Sequence, residues 1–300
     1  MLNELVGAVG LGLLWTLMTF GVYLSYRILD VADLTAEGSL TTGASVAAVC
    51  IVGGMNPLLA LLLALVAGTL AGVVTGLLHT LLNIPALLSG ILTMIASWSI
   101  NLRIMGKANV SLLRTETVFS MFSDFSGLSK TYSILIVELI FVAVFGFITY
   151  MFLGTELGRG LRATGCNEGM ARAQGVNTKL MKVTGLAIAN GLVALSGGLI
   201  AQSQSFSDIQ MGTGAIVIGL ASLIIGEVLV GRTTVSRAIL SAAAGSVIYR
   251  LIIALVLKLG MPANDLKLFT AITVAICLAL PTIRKHWARR GKGKGGKLNA

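Results

Sequence analysis

From Gly38 to Leu102 the chain runs 65 residues without one Asp, Glu, Lys or Arg. A helix crosses the hydrocarbon core of a bilayer in about 20 residues, so this run holds about three crossings. Asn56-Pro57 and Asn83-Ile84-Pro85 are breakers inside it, and they predict helices near 39–54, 57–80 and 85–105. Before this run the chain is apolar from its start to Tyr26. After it, apolar blocks cover 131–153, 179–203, 214–230, 235–257 and 266–280. The pattern predicts an all-α integral membrane protein, a bundle of about nine (eight to ten) transmembrane helices. The block 214–230 is short enough to be broken or re-entrant.

Composition agrees. Of 300 residues 56% are hydrophobic and 11% charged, with a mean hydropathy of +0.92. A soluble domain carries about 25% charged residues, so a globule of this size could not be covered in water. The longest charge-rich stretch, 155–182, is too short for a core of its own. The chain therefore reads as one membrane domain over 1–283 with a polar loop at 154–182, followed by a basic tail at 284–300. Met1-Leu2-Asn3-Glu4 lacks the basic start of a signal peptide, so the first apolar segment is expected to stay as a spanning helix. Cys50, Cys166 and Cys277 lie far apart and suggest neither a disulfide framework nor a metal site.

Charge sets an orientation. Lys and Arg number 22 against 12 Asp and Glu, and 7 of the 22 fall in the last 20 residues. Basic residues in short loops resist translocation. Arg159, Arg162, Arg172, Lys179 and Lys182 in one loop, and the C-terminal cluster, should both face the cytoplasm. Four crossings lie between them, which is consistent. Counting backwards puts 106–130 and the N-terminus outside, with Arg27–Glu37 left inside despite its three acids. The tail could bind nucleic acid by charge alone, but beside a membrane it reads as an orientation signal and a contact for anionic lipid. The 36 glycines argue for close helix packing and do not mark a site.

Around 158–177 the sequence turns amphipathic and basic. Asn167 reads as an N-cap, Glu168 and Arg172 share a face four residues apart, and Gly175 reads as a stop, giving a helix of about two turns. Its other face offers Met170, Ala171 and Ala173, which suits a protein groove better than a lipid surface.

Arg162-Ala163, Asn167-Glu168, Ala171 and Gly175-Val176-Asn177, followed by an apolar helix closing on Leu195-Ser196-Gly197-Gly198, resemble the cytoplasmic coupling loop of permease subunits in ABC importers for branched-chain amino acids and ribose. Asp33-Leu34-Thr35-Ala36-Glu37-Gly38-Ser39 resembles that family's entry to its second helix. Asn83-Ile84-Pro85 through Thr93-Met94 to Gly106 resembles another of its segments. The match covers roughly 30–280 in order. Glu37 stands as an extra residue in the entry motif, and Ile225-Gly226-Glu227 stands where relatives usually have Leu-Gly-Gly. These departures point toward the branch assigned to tryptophan or tyrosine import.

The resemblance implies a permease domain over 1–283 in a bacterial inner membrane, multi-pass, with a cytoplasmic C-terminus. It implies a second permease subunit, in a homodimer, and two ABC ATPases gripping the coupling helices through Arg162, Asn167, Glu168, Ala171, Arg172, Gln174 and Gly175. An extracytoplasmic substrate-binding protein would deliver an amino acid, an aromatic one included; a sugar or nucleoside is the alternative. The chain has no Gly-x-x-x-x-Gly-Lys-Ser/Thr loop, so it is read as no enzyme and as holding no cofactor, ATP and Mg belonging to the ATPase. Thr35, Glu37, Ser39, Thr41, Asn56, Thr93, Ser97 and Trp98 are the polar or aromatic groups of the segments resembling the translocation helices, and they are the candidate substrate path.

Each has a plainer reading. Asp33 and Glu37 could cap the helix they open, and Thr93 and Ser97 could bond back to their own helix. Glu138 and Arg250 could pair across helices or sit near loop ends, and His79 suits an interface. A secondary transporter is the rival from another class, since it too has broken helices and buried acids but does not require the basic loop. A channel or an intramembrane enzyme lacks its motifs here.

Overall fold

The computed structural model describes residues 2–127 and 130–258, together with 268–269, 271–272, 275 and 279. The expected helix at 266–280 falls, but for those six positions, outside the described residues, as do Cys277 and the basic tail. Among the described residues seven helices are long and apolar enough to cross a membrane. They belong to α1 (Leu2–Val22, extended by a π-helical turn Tyr23–Ile28), α2 (Thr35–Val52), α3 (Pro57–Thr80), α4 (Ala86–Met105), α6 (Lys130–Gly154), α9 (Thr178–Gln204) and α11 (Val235–Lys258). The shorter α10 (Ala215–Val230) lies among them, and α5 (Val118–Ser126), α7 (Glu156–Cys166) and α8 (Glu168–Ala173) lie in the connections.

The breakers act where expected. Asn56 caps α3 by accepting from the Leu58 N–H at 2.9 Å, with Pro57 in the first turn, and Pro85 precedes α4. Two short strands, β1 (Asn109–Ser111) and β2 (Phe206–Asp208), pair antiparallel, Val110 opposite Ser207. Neither is visible in the hydropathy pattern. Their pairing brings the α4–α5 connection and the end of α9 to one end of the bundle. The α7–α8 segment, between the end of α6 and the start of α9, lies at the other.

The long helix α9 is central, buried without interruption from Ala189 to Gln202. It meets α2 so closely that a Cβ on Gly43 would lie 1.8 Å from the Ala194 carbonyl oxygen, and one on Gly197 2.0 Å from that of Leu40. Without water to expel between helices, backbone approach of this kind supplies the packing that holds them. Serine hydroxyls add hydrogen bonds across helices: Ser196 and Ser246 donate to the Leu14 and Gly12 carbonyls of α1, both at 2.7 Å.

The α1–α2 junction departs from the expectation. Helix α1 continues as a π-turn to Ile28, and the chain then runs irregularly to Leu34 while doubling back beside α9. Leu29 packs near Gly185. Asp33 accepts from the Asn190 side-chain amide at 2.6 Å, and Asn190 stands about a dozen residues along α9, roughly 18 Å from its start at the usual rise. Helix α2 thus begins at Thr35, four residues earlier than expected, and inside the bundle. Irregular backbone is tolerated at such depth only where protein covers it, and Val31, Asp33 and Thr35 are buried.

Candidate functional site

Two sites emerge, one at each level of the bundle. At the α7–α8 end, Thr155 caps α7 by accepting from Gly158 N–H at 3.2 Å, and Asn167 caps α8 by accepting from Met170 N–H at 3.0 Å. Gly175, at φ 84°, takes the left-handed conformation that ends the turn after α8, a position costly for a side chain. The expected two-turn helix is therefore present but shorter, Glu168–Ala173, with Gln174 as its C-cap.

Glu168 is the joint between α8 and α9. Its carboxylate accepts from Lys182 at 2.6 Å, from Arg172 at 2.8 Å and from the Thr178 hydroxyl at 3.2 Å. The Lys182 hydrogen bond outweighs the opposing desolvation and, helped by the Lys182 charge, the Thr178 hydrogen bond and the Arg172 charge, holds the Glu168 carboxyl below its ordinary value. Lys182 also stands 3.5 Å from Nε2 of His79. Nδ1 of His79 lies 2.8 Å from the Ile84 carbonyl, so the histidine links the α3–α4 turn to this joint. Ala171 is buried beneath α8 while Met170 is exposed.

Helix α7 is not among the expected elements, since the charge-rich stretch 154–182 reads as a polar loop with one short helix from Asn167. One of its glycines is forced: a Cβ on Gly165 would lie 1.9 Å from the Ile28 carbonyl. Where α7 meets the end of α1 there is a cleft of about 530 Å³ lined by Arg27, Arg159, Arg162 and Cys166 among others. Glu227 does not lie free in the bundle. It takes a two-pronged contact from Arg27, Nε to Oε1 at 2.7 Å and Nη2 to Oε2, which ties α10 to the end of α1.

The second site lies where α2 and α10 begin. Glu37 does not cap its own helix; Asp33 does, accepting from Thr35 N–H at 2.9 Å. Glu37 instead accepts from the Gly214 N–H at 3.1 Å, placing a carboxylate at the positive end of α10. Glu37, Thr41 and Trp98 then line one cavity of about 510 Å³, together with Asn101, Ile209 and Thr213.

The other path candidates are not brought there. Thr35 and Thr93 are buried and hydrogen-bonded through Thr75, at 2.7 and 2.9 Å, where α2, α3 and α4 meet. Ser39 is buried and donates to Asn190 at 2.7 Å, and Ser97 packs against Gly38. Asn56 sits at the α2–α3 turn as a cap, away from the cavity. Glu138 and Arg250 do not pair with each other. Glu138 faces Gly10 with neither oxygen hydrogen-bonded, and the Arg250 guanidinium lies 4.2 Å over the Trp15 ring.

Residues 5–279 match the family described as branched-chain amino acid transport system / permease component. The chain belongs to this permease family. Among its relatives, the tyrosine transport system permease protein of Clostridioides difficile is 41% identical over 278 residues, 93% of this chain and 91% of that protein. An uncharacterized protein of Rickettsia prowazekii is 33% identical over 282 residues, 93% of this chain and 98% of that one. An autoinducer 2 import system permease protein of Salmonella paratyphi B is 36% identical over only 90 residues, 29% of this chain. No solved structure matches the permease.

Proposed function

We propose that this permease is the transmembrane subunit of an ATP-driven importer for an amino acid, with an aromatic one such as tyrosine the first candidate. The observation that carries the coupling half of this reading is the Glu168 joint. A capped, partly exposed helix whose Glu168 is keyed to the central helix by hydrogen bonds from Thr178 and Lys182 can pass a push from a soluble ATPase into the bundle. The basic α7–α8 end faces the cytoplasm in this reading, with the strand pair outside. A second copy of the permease completes the path, two ATPases supply ATP and Mg chemistry, and an extracytoplasmic binding protein delivers the substrate. The substrate half rests on the 41% identity to a tyrosine permease over nearly the whole chain.

Proteoliposomes holding the permease, its ATPase and its binding protein test both halves. ATP-dependent uptake of labelled tyrosine is expected. Uptake without ATP would favour the secondary transporter, and uptake of ribose or a nucleoside but not of tyrosine, tryptophan or leucine would replace the amino-acid reading.

A further inference from the structure

The cavity between α2, α4 and the start of α10 has a charge character that selects a ligand. Glu37 brings a carboxylate, and none of the lining residues is Lys, Arg or His. Asn101 is fully buried, lines the same cavity, and its amide oxygen has no hydrogen-bond partner. A buried acceptor left unpaired costs free energy, so a ligand that brings a donor to it is favoured over one that does not. Thr41 spends its hydroxyl proton on the Glu37 carbonyl at 3.2 Å and so offers the cavity an acceptor. The same lining includes Trp98, Ile95 and Met94, and Trp98 is half exposed.

We infer that this cavity is a binding site for the protonated amine of the transported solute, with Glu37 and the Asn101 amide oxygen accepting its N–H bonds and Trp98 covering its apolar part. The inference rests on the permease reading and names the end of the substrate this chain holds. An ammonium has three donors and no acceptor, which matches a site of acceptors without a cation. A carboxylate, phosphate or sulfate would meet the Glu37 charge with no positive side chain in the lining to offset it. A cavity of about 510 Å³ is within the usual size for a small-molecule site. Glu37 also accepts from the N–H of Gly214, the N-cap of α10, so an arriving ammonium competes for the carboxylate that holds the start of α10 against α2. Occupancy of the site is thereby linked to the position of a helix.

The test is cysteine protection in the complete complex. Ser99 lines the cavity and is exposed, so a Ser99→Cys variant in a background with Cys50, Cys166 and Cys277 replaced by serine reports directly on the cavity. Tyrosine and tyramine, which carry the amine, should each slow maleimide labelling by about tenfold at saturation, whereas 3-(4-hydroxyphenyl)propionate, the carboxylate without the amine, should not. Glu37→Gln should abolish protection by tyramine and Glu37→Asp should retain part of it. Asn101→Leu, which keeps the α10 contact intact, should weaken protection by about tenfold. Protection by the carboxylate and not the amine, protection unchanged in Glu37→Gln, or a cysteine that never reacts would each overturn the inference. Tyrosine uptake by the same complex separates the two readings: uptake without protection refutes the amine site alone, and absence of both refutes the permease reading with it.

Discussion

Replacing Glu168 with alanine should loosen the joint between α8 and α9 without unfolding the bundle. The carboxylate is 37% exposed and its partners Lys182 and Arg172 are 16% and 65% exposed, so water screens both pairs. At that exposure the Lys182 contact is worth about 1 kcal/mol, about fivefold in the population of α8 docked on α9, and the Arg172 pair, which lies within α8, adds about 0.3–0.5 kcal/mol to that helix alone. A helix of six residues has no stability of its own to make up the loss. In proteoliposomes the variant should therefore assemble with its ATPase and hydrolyse ATP, while uptake per ATP falls several-fold. Glu168→Gln should lie between, because it keeps an acceptor for Thr178. The pH dependence follows from the direction of the shift. A carboxyl held below its ordinary value in the folded state contributes fully above that value, 4.5, and the contribution is lost as pH falls through the lowered one. Coupling should thus be flat from about pH 5 to 8 as far as Glu168 is concerned. Wild-type uptake per ATP in Glu168→Ala would refute the assignment of the joint. A loss of coupling centred near about pH 6.5 would place it on a histidine instead.

Other outcomes follow from the packing and the charges. Ala171→Pro removes the Ala171 N–H bond to the Asn167 carbonyl, 3.0 Å in length, and at about 3 kcal/mol should dismantle α8 and abolish uptake while membrane insertion, read by fractionation, persists. Arg27→Ala leaves Glu227 nearly buried and unpaired, so thermal unfolding in detergent should show a loss of about 2–4 kcal/mol, and Arg27→Ala combined with Glu227→Ala should recover most of it; equal single and double losses would refute the pair. Gly197→Val drives a side chain into the Leu40 carbonyl and should prevent folding at a cost above about 4 kcal/mol, whereas Gly7→Ala, with nothing within 4 Å, should stay within about 0.5 kcal/mol on the same assay. Cysteines at Ser123 and Asn177 should label from opposite faces of the membrane, and labelling from one face would break the topology.

Much of this arrangement is legible in the residues, and the exceptions have a common cause. Helices α3, α4 and α9 follow from long apolar runs and from Asn or Pro at their starts, and α11 from its apolar run alone, because those signals are local in the chain. The cap at Asn167 and the face shared by Glu168 and Arg172 are local too, and both are present. What the pattern misses depends on residues far apart in sequence. Glu37 looks like a cap for α2 until Gly214, 177 positions away, is found against it. Glu227 looks like an acid stranded in the bundle until Arg27, 200 positions away, is found on it. Helix α7 is hidden in a polar stretch because the Ile28 carbonyl that excludes a side chain at Gly165 belongs to the π-helical turn after α1. The hydroxyls of Thr35, Ser39 and Thr93 suggest a polar path, yet they satisfy one another and Asn190 inside helix contacts, leaving Glu37, Thr41 and Trp98 at the cavity.

The claim on which the rest depends is that α8 is where an ATPase grips this permease. Met170 is exposed on α8 while its neighbour Ala171 is buried, so a cysteine at 170 reports on that face alone. In inverted membrane vesicles containing the whole transporter, with the native cysteines replaced, Met170→Cys should form an oxidant-induced cross-link to a cysteine in the ATPase groove, and transport should stop until the bond is reduced. A cysteine at 170 that labels with an impermeant maleimide from outside intact cells, or that labels equally fast with and without the ATPase, would contradict the account.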